Sequence, residues 1–338
     1  MKRCNVFIVH TEYHVFLTVN IICGRFFDYE NHVYMTQGSR LLELKSIHIT
    51  DTTVHFLSQD TSIKAVLHEI EALKPERFFF FQDNSANNMY LCYNLSKKGT
   101  TIALVQDGLK PYVFWNKRHK VLSTIKDTLN TYSVLIKQHA MVPSLVWMNY
   151  YDYGDWRFVN ELWLTNPDAF VNKHQKKLVK IPDFTNQSLS ILNETFNYEG
   201  DEELRSVILI LGQPTANSQN WSFDASLVQE IVKRFPYNKI WYKPHPLTNP
   251  DHLEMIKSIK QDNFHFYTKK IPAELLILQL SDSIVISRNS TAMLTYNHRC
   301  NYFWTYQLYP EDILSSQYEM SNPTSYIIEI KSIDEISF

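Results

Sequence analysis

The chain has 338 residues, with 33 Lys and Arg against 35 Asp and Glu, a formal net charge of −2 and an isoelectric point near 6.7. That balance excludes a global attraction to nucleic acid, and 44% hydrophobic with 20% charged residues is the composition of a chain that folds throughout. Its length exceeds what one hydrophobic core usually organises, so two domains are expected.

The N-terminus, MKRCNVFIVHTEYHVFLTVNIICG, has the basic start and apolar stretch of a signal peptide. His10, Glu12 and His14 interrupt it, and no run of about 20 apolar residues able to span a bilayer follows. It reads as the first strand and helix of a soluble, cytoplasmic fold. Cys4, Cys23, Cys92 and Cys300 lie far apart with no CxxC pair. This argues against a zinc site or a disulfide framework and fits a reducing compartment.

Short apolar runs alternate with longer amphipathic segments, the pattern of βα units stacked around parallel sheets. NVFIVH (5–10), VHFL (54–57), RFFFFQ (77–82) and TIALVQ (101–106) read as strands, with helices at 13–23, 61–73 and 86–98. Residues 112–163 are crowded with Trp and Tyr at mostly helical spacing. They are either an aromatic helical layer over the sheet or a surface turned to an acceptor or a membrane. ELWLTNPDAF (161–170) returns to strand-like sequence. The basic run NKHQKKLVK (172–180) reads as a solvated helix face, with membrane or acidic-glycan contact as the alternative. Residues 181–203 lose the pattern and read as a linker.

A second series begins at SVILILG (206–212) and continues with strands at 239–242, 264–267 and 283–287 and helices at 226–235 and 273–280. The expectation is an α/β protein of two Rossmann-like domains, residues 1–185 and 204–338, facing each other across a cleft. Open α/β sheets bind ligands at the carboxyl ends of their strands. Polar residues crowd those ends here: VHTEYH (9–14), VQDGLKPY (105–112), LGQPTANS (211–218), YKPHP (242–246) and SRNSTAML (287–294). The prolines of YKPHP hold Lys243 and His245 at a stiff strand exit suited to an anion. Ser290 or Asn289 would cap a helix whose first-turn N–H groups suit phosphate.

Taken in order, NVFIVHTEYHVFLTVNI, QDGLKPY, ILGQP, YKPHP and SRNSTAM resemble bacterial sialyltransferases of the lipooligosaccharide type, glycosyltransferase family 52, and the related polysialyltransferases. The resemblance implies the GT-B fold, CMP-sialic acid as donor and a bacterial surface glycan, lipooligosaccharide or capsule, as acceptor. It also implies inverting transfer to a galactose-type hydroxyl with no metal or other cofactor. His245 would assist the departing CMP, with Pro246 in the same HP motif and Lys243 adding positive charge. Ser287, Asn289, Ser290 and Thr291 would hold the phosphate, and Gly212 and Gln213 would approach the nucleotide. Asp107, presented by a turn at Gly108, would deprotonate the acceptor, and His10, Thr11 and His14 would contact acceptor or donor sugar. Thr11 as an ordinary helix cap remains open beside that role.

The sequence departs from the pattern in two places. Gln106 stands where the polysialyltransferase-like motif has its first acid, and Thr215 where the lipooligosaccharide type has its acid after the turn. Asp107 is the base by elimination, with Glu12 and Asp224 behind it. The same fold with CMP-Kdo, CDP-glycerol or a UDP-sugar as donor is an alternative, as is a non-catalytic nucleotide-sugar-binding protein of glycan assembly. No nucleic-acid partner is expected. Peripheral association with the inner membrane is suggested by the basic and aromatic residues of 112–180.

Overall fold

The architecture comes from a computed structural model and covers residues 2–36, 47–58, 60–115, 120–143, 145–148, 153–172, 176–200, 204–214, 219–309 and 318–338. By its internal contacts the chain divides into two units. One comprises Met1–Tyr198 with Gln317–Pro323, and the other Glu199–Ser316 with Thr324–Phe338.

The first unit contains β1 (Cys4–Val9), α1 (Glu12–Arg25), β2 (Glu30–Thr36), β3 (Thr52–Leu57), α2 (Ile63–Leu73), β4 (Arg77–Phe80), α3 (Ala86–Lys97) and β5 (Thr101–Val105). It continues with β6 (Val113–Trp115), α4 (Lys120–Lys137), β7 (Glu161–Leu164), β8 (Lys177–Lys180) and α5 (Asn186–Thr195). Seven strands form one sheet in the order β3-β2-β1-β4-β5-β7-β8, every pair parallel. Its central strands are buried along nearly their whole length, which is why they read as unbroken apolar runs. Phe7 and Phe79 stack across β1 and β4 at 4.4 Å between ring centres.

Residues 181–203 are not a plain linker. Asn186–Thr195 is a helix opened by a capping box between Thr185 and Ser188, and Ser188, Leu192 and Thr195 are its buried stripe. The Asn20 side chain donates to the Pro182 carbonyl at 2.6 Å and Phe16 packs on Phe184, so this segment lies against α1. The basic run is corrected as well: Lys177–Lys180 is an edge strand, not a helix face, and its exposed lysines suit an edge that must not recruit further strands.

The aromatic segment 112–163 is less helical than its spacing predicts. It holds α4, a short strand and irregular chain. Tyr112, Tyr153, Trp156 and Phe158 are buried with the sheet, while Leu122, Ile125, Leu129 and Ile136 of α4 face solvent.

The second unit contains β9 (Ile208–Leu211), α6 (Gln219–Arg234), β10 (Ile240–Lys243), α7 (Pro250–Lys257), β11 (Phe264–Phe266), α8 (Ala273–Gln279), β12 (Ser283–Ser287) and β13 (Cys300–Trp304). β14 (Tyr318–Met320) belongs to the first unit, where it pairs antiparallel with β6, and the second unit closes with β15 (Ile327–Glu329). Its sheet runs β11-β10-β9-β12-β13-β15, again all parallel. In each unit the connections reverse direction beside the first strand, between β1 and β4 and between β9 and β12. That reversal point is where doubly wound sheets bind ligands.

Candidate active site

At the reversal point of the first unit, β1 ends in His10 and α1 begins at once. Thr11 is its N-cap, accepting from the His14 N–H at 3.2 Å, a contact of about 1 kcal/mol in such helices. The cap turns His14 inward, where it is fully buried and stacked on Phe81 at 4.2 Å and 6°. The His10 backbone N–H donates to His14 Nδ1 at 3.1 Å, so the neutral ring carries its proton on Nε2. That nitrogen lies 3.3 Å from Asp107 Oδ1, close enough for electrostatic contact although the angle does not make a hydrogen bond.

Asp107 follows β5 and is 37% exposed. Gly108 takes φ +76°, a conformation that other residues rarely adopt, and lets the chain turn away directly after the carboxylate. Gln106, in the place of the expected acid, is fully buried. Its Oε1 accepts from the Tyr112 hydroxyl at 2.6 Å and the Thr165 N–H at 2.9 Å. It therefore fastens the strand end and has no basic electron pair to offer an acceptor.

His10 is occupied within the protein. Its Nδ1 meets Thr36 Oγ1 at 2.9 Å, and Asn88 Nδ2 reaches its Nε2 at 3.5 Å. Burial first, and then His14, lower its pKa to about 4. Glu12 is half-buried in the first turn of α1.

In the second unit Gly212 and Gln213 leave β9, and Ser287 ends β12 beside them. Gln213 Nε2 contacts Ser287 Oγ at 3.4 Å, and the same oxygen accepts from the Ser290 N–H at 3.1 Å. A Cβ on Gly212 would lie 2.6 Å from Tyr242 Oη and 3.2 Å from the His245 backbone nitrogen, so only glycine lets the YKPHP turn close over β9. His245 Nδ1 accepts from the Leu247 N–H at 3.1 Å, which in the neutral ring leaves the proton on Nε2. Pro246 is exposed on the same turn. The Lys243 ammonium reaches the Lys269 carbonyl at 3.3 Å and sits over the Tyr267 ring.

The expected helix after β12 is only a 3-10 turn, Thr291–Leu294, capped by Ser290, whose Oγ accepts from the Ala292 N–H. Asn289 and Thr291 flank that cap and are partly exposed. The reason is compositional: buried Ala292, Met293 and Leu294 are followed by Thr295, and the next strand starts at Cys300, leaving no length for an α-helix.

Asp224 is buried in α6, held by the Tyr309 hydroxyl and 3.4 Å from His252 Nε2. Burial raises its pKa, opposed by Tyr309, Arg288 and His252. Arg288, passed over in the sequence, places a guanidinium over the Tyr309 ring at 5.3 Å in the middle of the serine-rich turn. Its position between Ser287 and Asn289 was the available signal. Thr215 lies outside the described residues. Among the described residues no cluster of three or more His, Cys, Asp or Glu has metal-ligand geometry.

Two parallel α/β units with polar residues gathered at the reversal point of each have the layout of the GT-B fold. The chain belongs to the alpha-2,8-polysialyltransferase (POLYST) family, whose profile matches residues 32–302. It is thus a sialyl-transferring glycosyltransferase, from a family that uses CMP-sialic acid. The fold is similar to the GT-B domain of a sialyltransferase from Photobacterium damselae, with 12% identity over 90% of this chain and 91% of that one and a TM-score of 0.50. It is also similar to the UDP-GlcNAc 2-epimerase of Methanocaldococcus jannaschii, with 13% identity, 97% and 88% coverage and a TM-score of 0.54. No match to a curated protein was found.

Proposed function

We propose that the protein moves sialic acid from CMP-sialic acid to a sugar hydroxyl of a bacterial surface glycan, with inversion and without a metal ion. The observation that carries this reading is the half-exposed Asp107 carboxylate backed by the buried His14 Nε2–H. Asp107 takes the proton of the acceptor hydroxyl as its oxygen bonds to the anomeric carbon of sialic acid. The bond from that carbon to the phosphate oxygen breaks, and its electron pair leaves with CMP. His14 lies in electrostatic contact with the carboxylate and acts as a positioning residue.

In the second unit Ser287, Ser290, Thr291 and Asn289 receive the phosphate, with Gly212 and Gln213 against the nucleotide. Lys243 supplies positive charge, and His245 donates from Nε2 to the leaving group. A departing monophosphate carries no diphosphate for a metal ion to bridge. In the first unit His10 and Thr11 act through His14, by orienting its ring and capping its helix, and Gly108 clears the approach to Asp107.

The protein works at the cytoplasmic membrane face in this reading. Leu122, Ile125, Leu129 and Ile136 lie on one face of α4, all exposed, with Lys126 and Lys137 along one side. An apolar stripe flanked by lysines suits an anionic bilayer surface. Among the described residues no helix is long and apolar enough to cross a membrane.

Calorimetric titration of CMP, CDP, UDP and UMP into wild type and His245→Ala, without added metal, tests the donor assignment. Selective CMP binding that the substitution weakens supports it. Preference for UDP or CDP, or no binding of any of the four, overturns it.

A further inference from the structure

A pocket of about 600 Å³ opens in the first unit between the turn after β4 and one face of α4. That is the size range of sites for small organic ligands, roughly 300–1,000 Å³. The turn and the start of α3 contribute Asp83 to Asn87, and α4 contributes Asp127, Asn130, Thr131 and Val134 at the spacing of a single helix face, with Gln138 just past its end. This face is distinct from the exposed leucine stripe.

The chemistry of the lining is selective. Amides and hydroxyls dominate, each able to donate and accept, as sugar hydroxyls do. Val134 and Met148 give apolar contact for the C–H face of a sugar ring. Among the described residues no Lys, Arg or His lines the pocket, while two carboxylates do. Asp83 is neutralised by Lys110 and bound by the Gly154 N–H, which leaves Asp127 to repel an anion. Asn87 keeps its Oδ1 buried without a hydrogen-bond partner at the edge of this lining.

The pocket also lies on the catalytic edge of the sheet. Phe80 of β4 pairs with Leu104 of β5, so Asp83 and Asp107, each three residues further on, leave the same edge. Asn88, next to Asn87, bonds both the Gln82 carbonyl and His10, whose backbone fixes His14.

We propose that this pocket is an acceptor subsite for an uncharged pyranose unit of the glycan, bound inward of the sugar that receives sialic acid. The assignment rests on the glycosyltransferase reading above and narrows its acceptor class. The enzyme would then recognise a neutral sugar in its acceptor.

Saturation-transfer NMR and calorimetry with lactose and with a sialic acid dimer, on wild type, an Asn87→Ala/Asn130→Ala variant and Val134→Trp, test this. Melting curves establish that the variants fold, and CMP is titrated into the same samples. Lactose binding that falls at least about tenfold in both variants, with CMP binding unchanged, is the expected result. Lactose binding untouched by either substitution, absent from wild type that binds CMP, or weaker than binding of the dimer overturns the subsite. Loss of CMP binding by wild type while lactose still binds at the pocket would sink the donor assignment and leave the subsite standing.

Discussion

His10 fixes His14 with its backbone, not its ring: the His10 N–H meets His14 Nδ1 at 3.1 Å and leaves Nε2 3.3 Å from Asp107 Oδ1. A carboxylate at the ligand-binding edge of the sheet is thereby supported by a group that no solvent reaches.

Removing the proposed base should be costly and removing the histidine beside it less so. Asp107→Asn is expected to lower kcat by about 10²–10⁴-fold, the usual contribution of general base catalysis. His14→Gln should give a smaller loss of kcat. CMP affinity, measured by calorimetry, should hold in both. An Asp107→Asn enzyme with wild-type kcat would remove Asp107 from the mechanism.

Gly212 offers a test of packing with a built-in rescue. A methyl group there meets Tyr242 Oη at 2.6 Å, and overpacking of this kind costs about 1–3 kcal/mol. Gly212→Ala should lower the melting temperature and weaken CMP binding. Adding Tyr242→Phe, which deletes the offending oxygen, should recover part of both. An unchanged double variant would place the strain on the His245 backbone instead.

Stability should depend on pH through His10. Its pKa is about 4 when folded and near 6.5 in the unfolded chain, so between these values the unfolded state binds more protons. The contribution is complete above about pH 6.5 and is lost as pH falls toward 4, by about 3 kcal/mol at most. Urea midpoints at pH 7 and pH 4.5 should therefore differ less in His10→Gln than in wild type. Equal pH sensitivity of the two proteins would exclude His10 as the source.

The α4 stripe predicts binding to vesicles. Wild type should sediment with phosphatidylglycerol-containing vesicles at low salt, and Leu122→Glu/Leu129→Glu should not. Activity on a soluble acceptor should be retained by that variant. A concentration-dependent dimer that the same substitutions dissolve would show that a second copy covers the stripe.

How legible the fold was depended on what each strand buries. β1, β4, β5, β9 and β12 stand out because both faces are covered and their sequences are almost wholly apolar. β2 escaped notice because its buried polar residues break the run: Asn31 donates to the Phe26 and Tyr29 carbonyls, and His32 lies between Glu30 and His55. The strand-end motifs were visible as strings of polar residues. The contact of His14 with Asp107 was not, since it depends on β1, β4 and β5 lying side by side in one register. Residue pattern also suggested a full helix after β12, where the distance to β13 allows only a turn.

The pairing of β14 with β6 makes the first unit discontinuous in sequence. Its sheet can assemble as the leading part of the chain emerges during synthesis, but Val113–Trp115 must wait for Tyr318–Met320. The Asn166 side chain waits likewise for the Pro323 carbonyl. A fragment ending at Tyr198 would lack both partners and leave a strand edge exposed. The last step in maturing the first unit is therefore coupled to synthesis of the chain as far as Pro323, and a chain terminated before that point would carry an unfinished first unit.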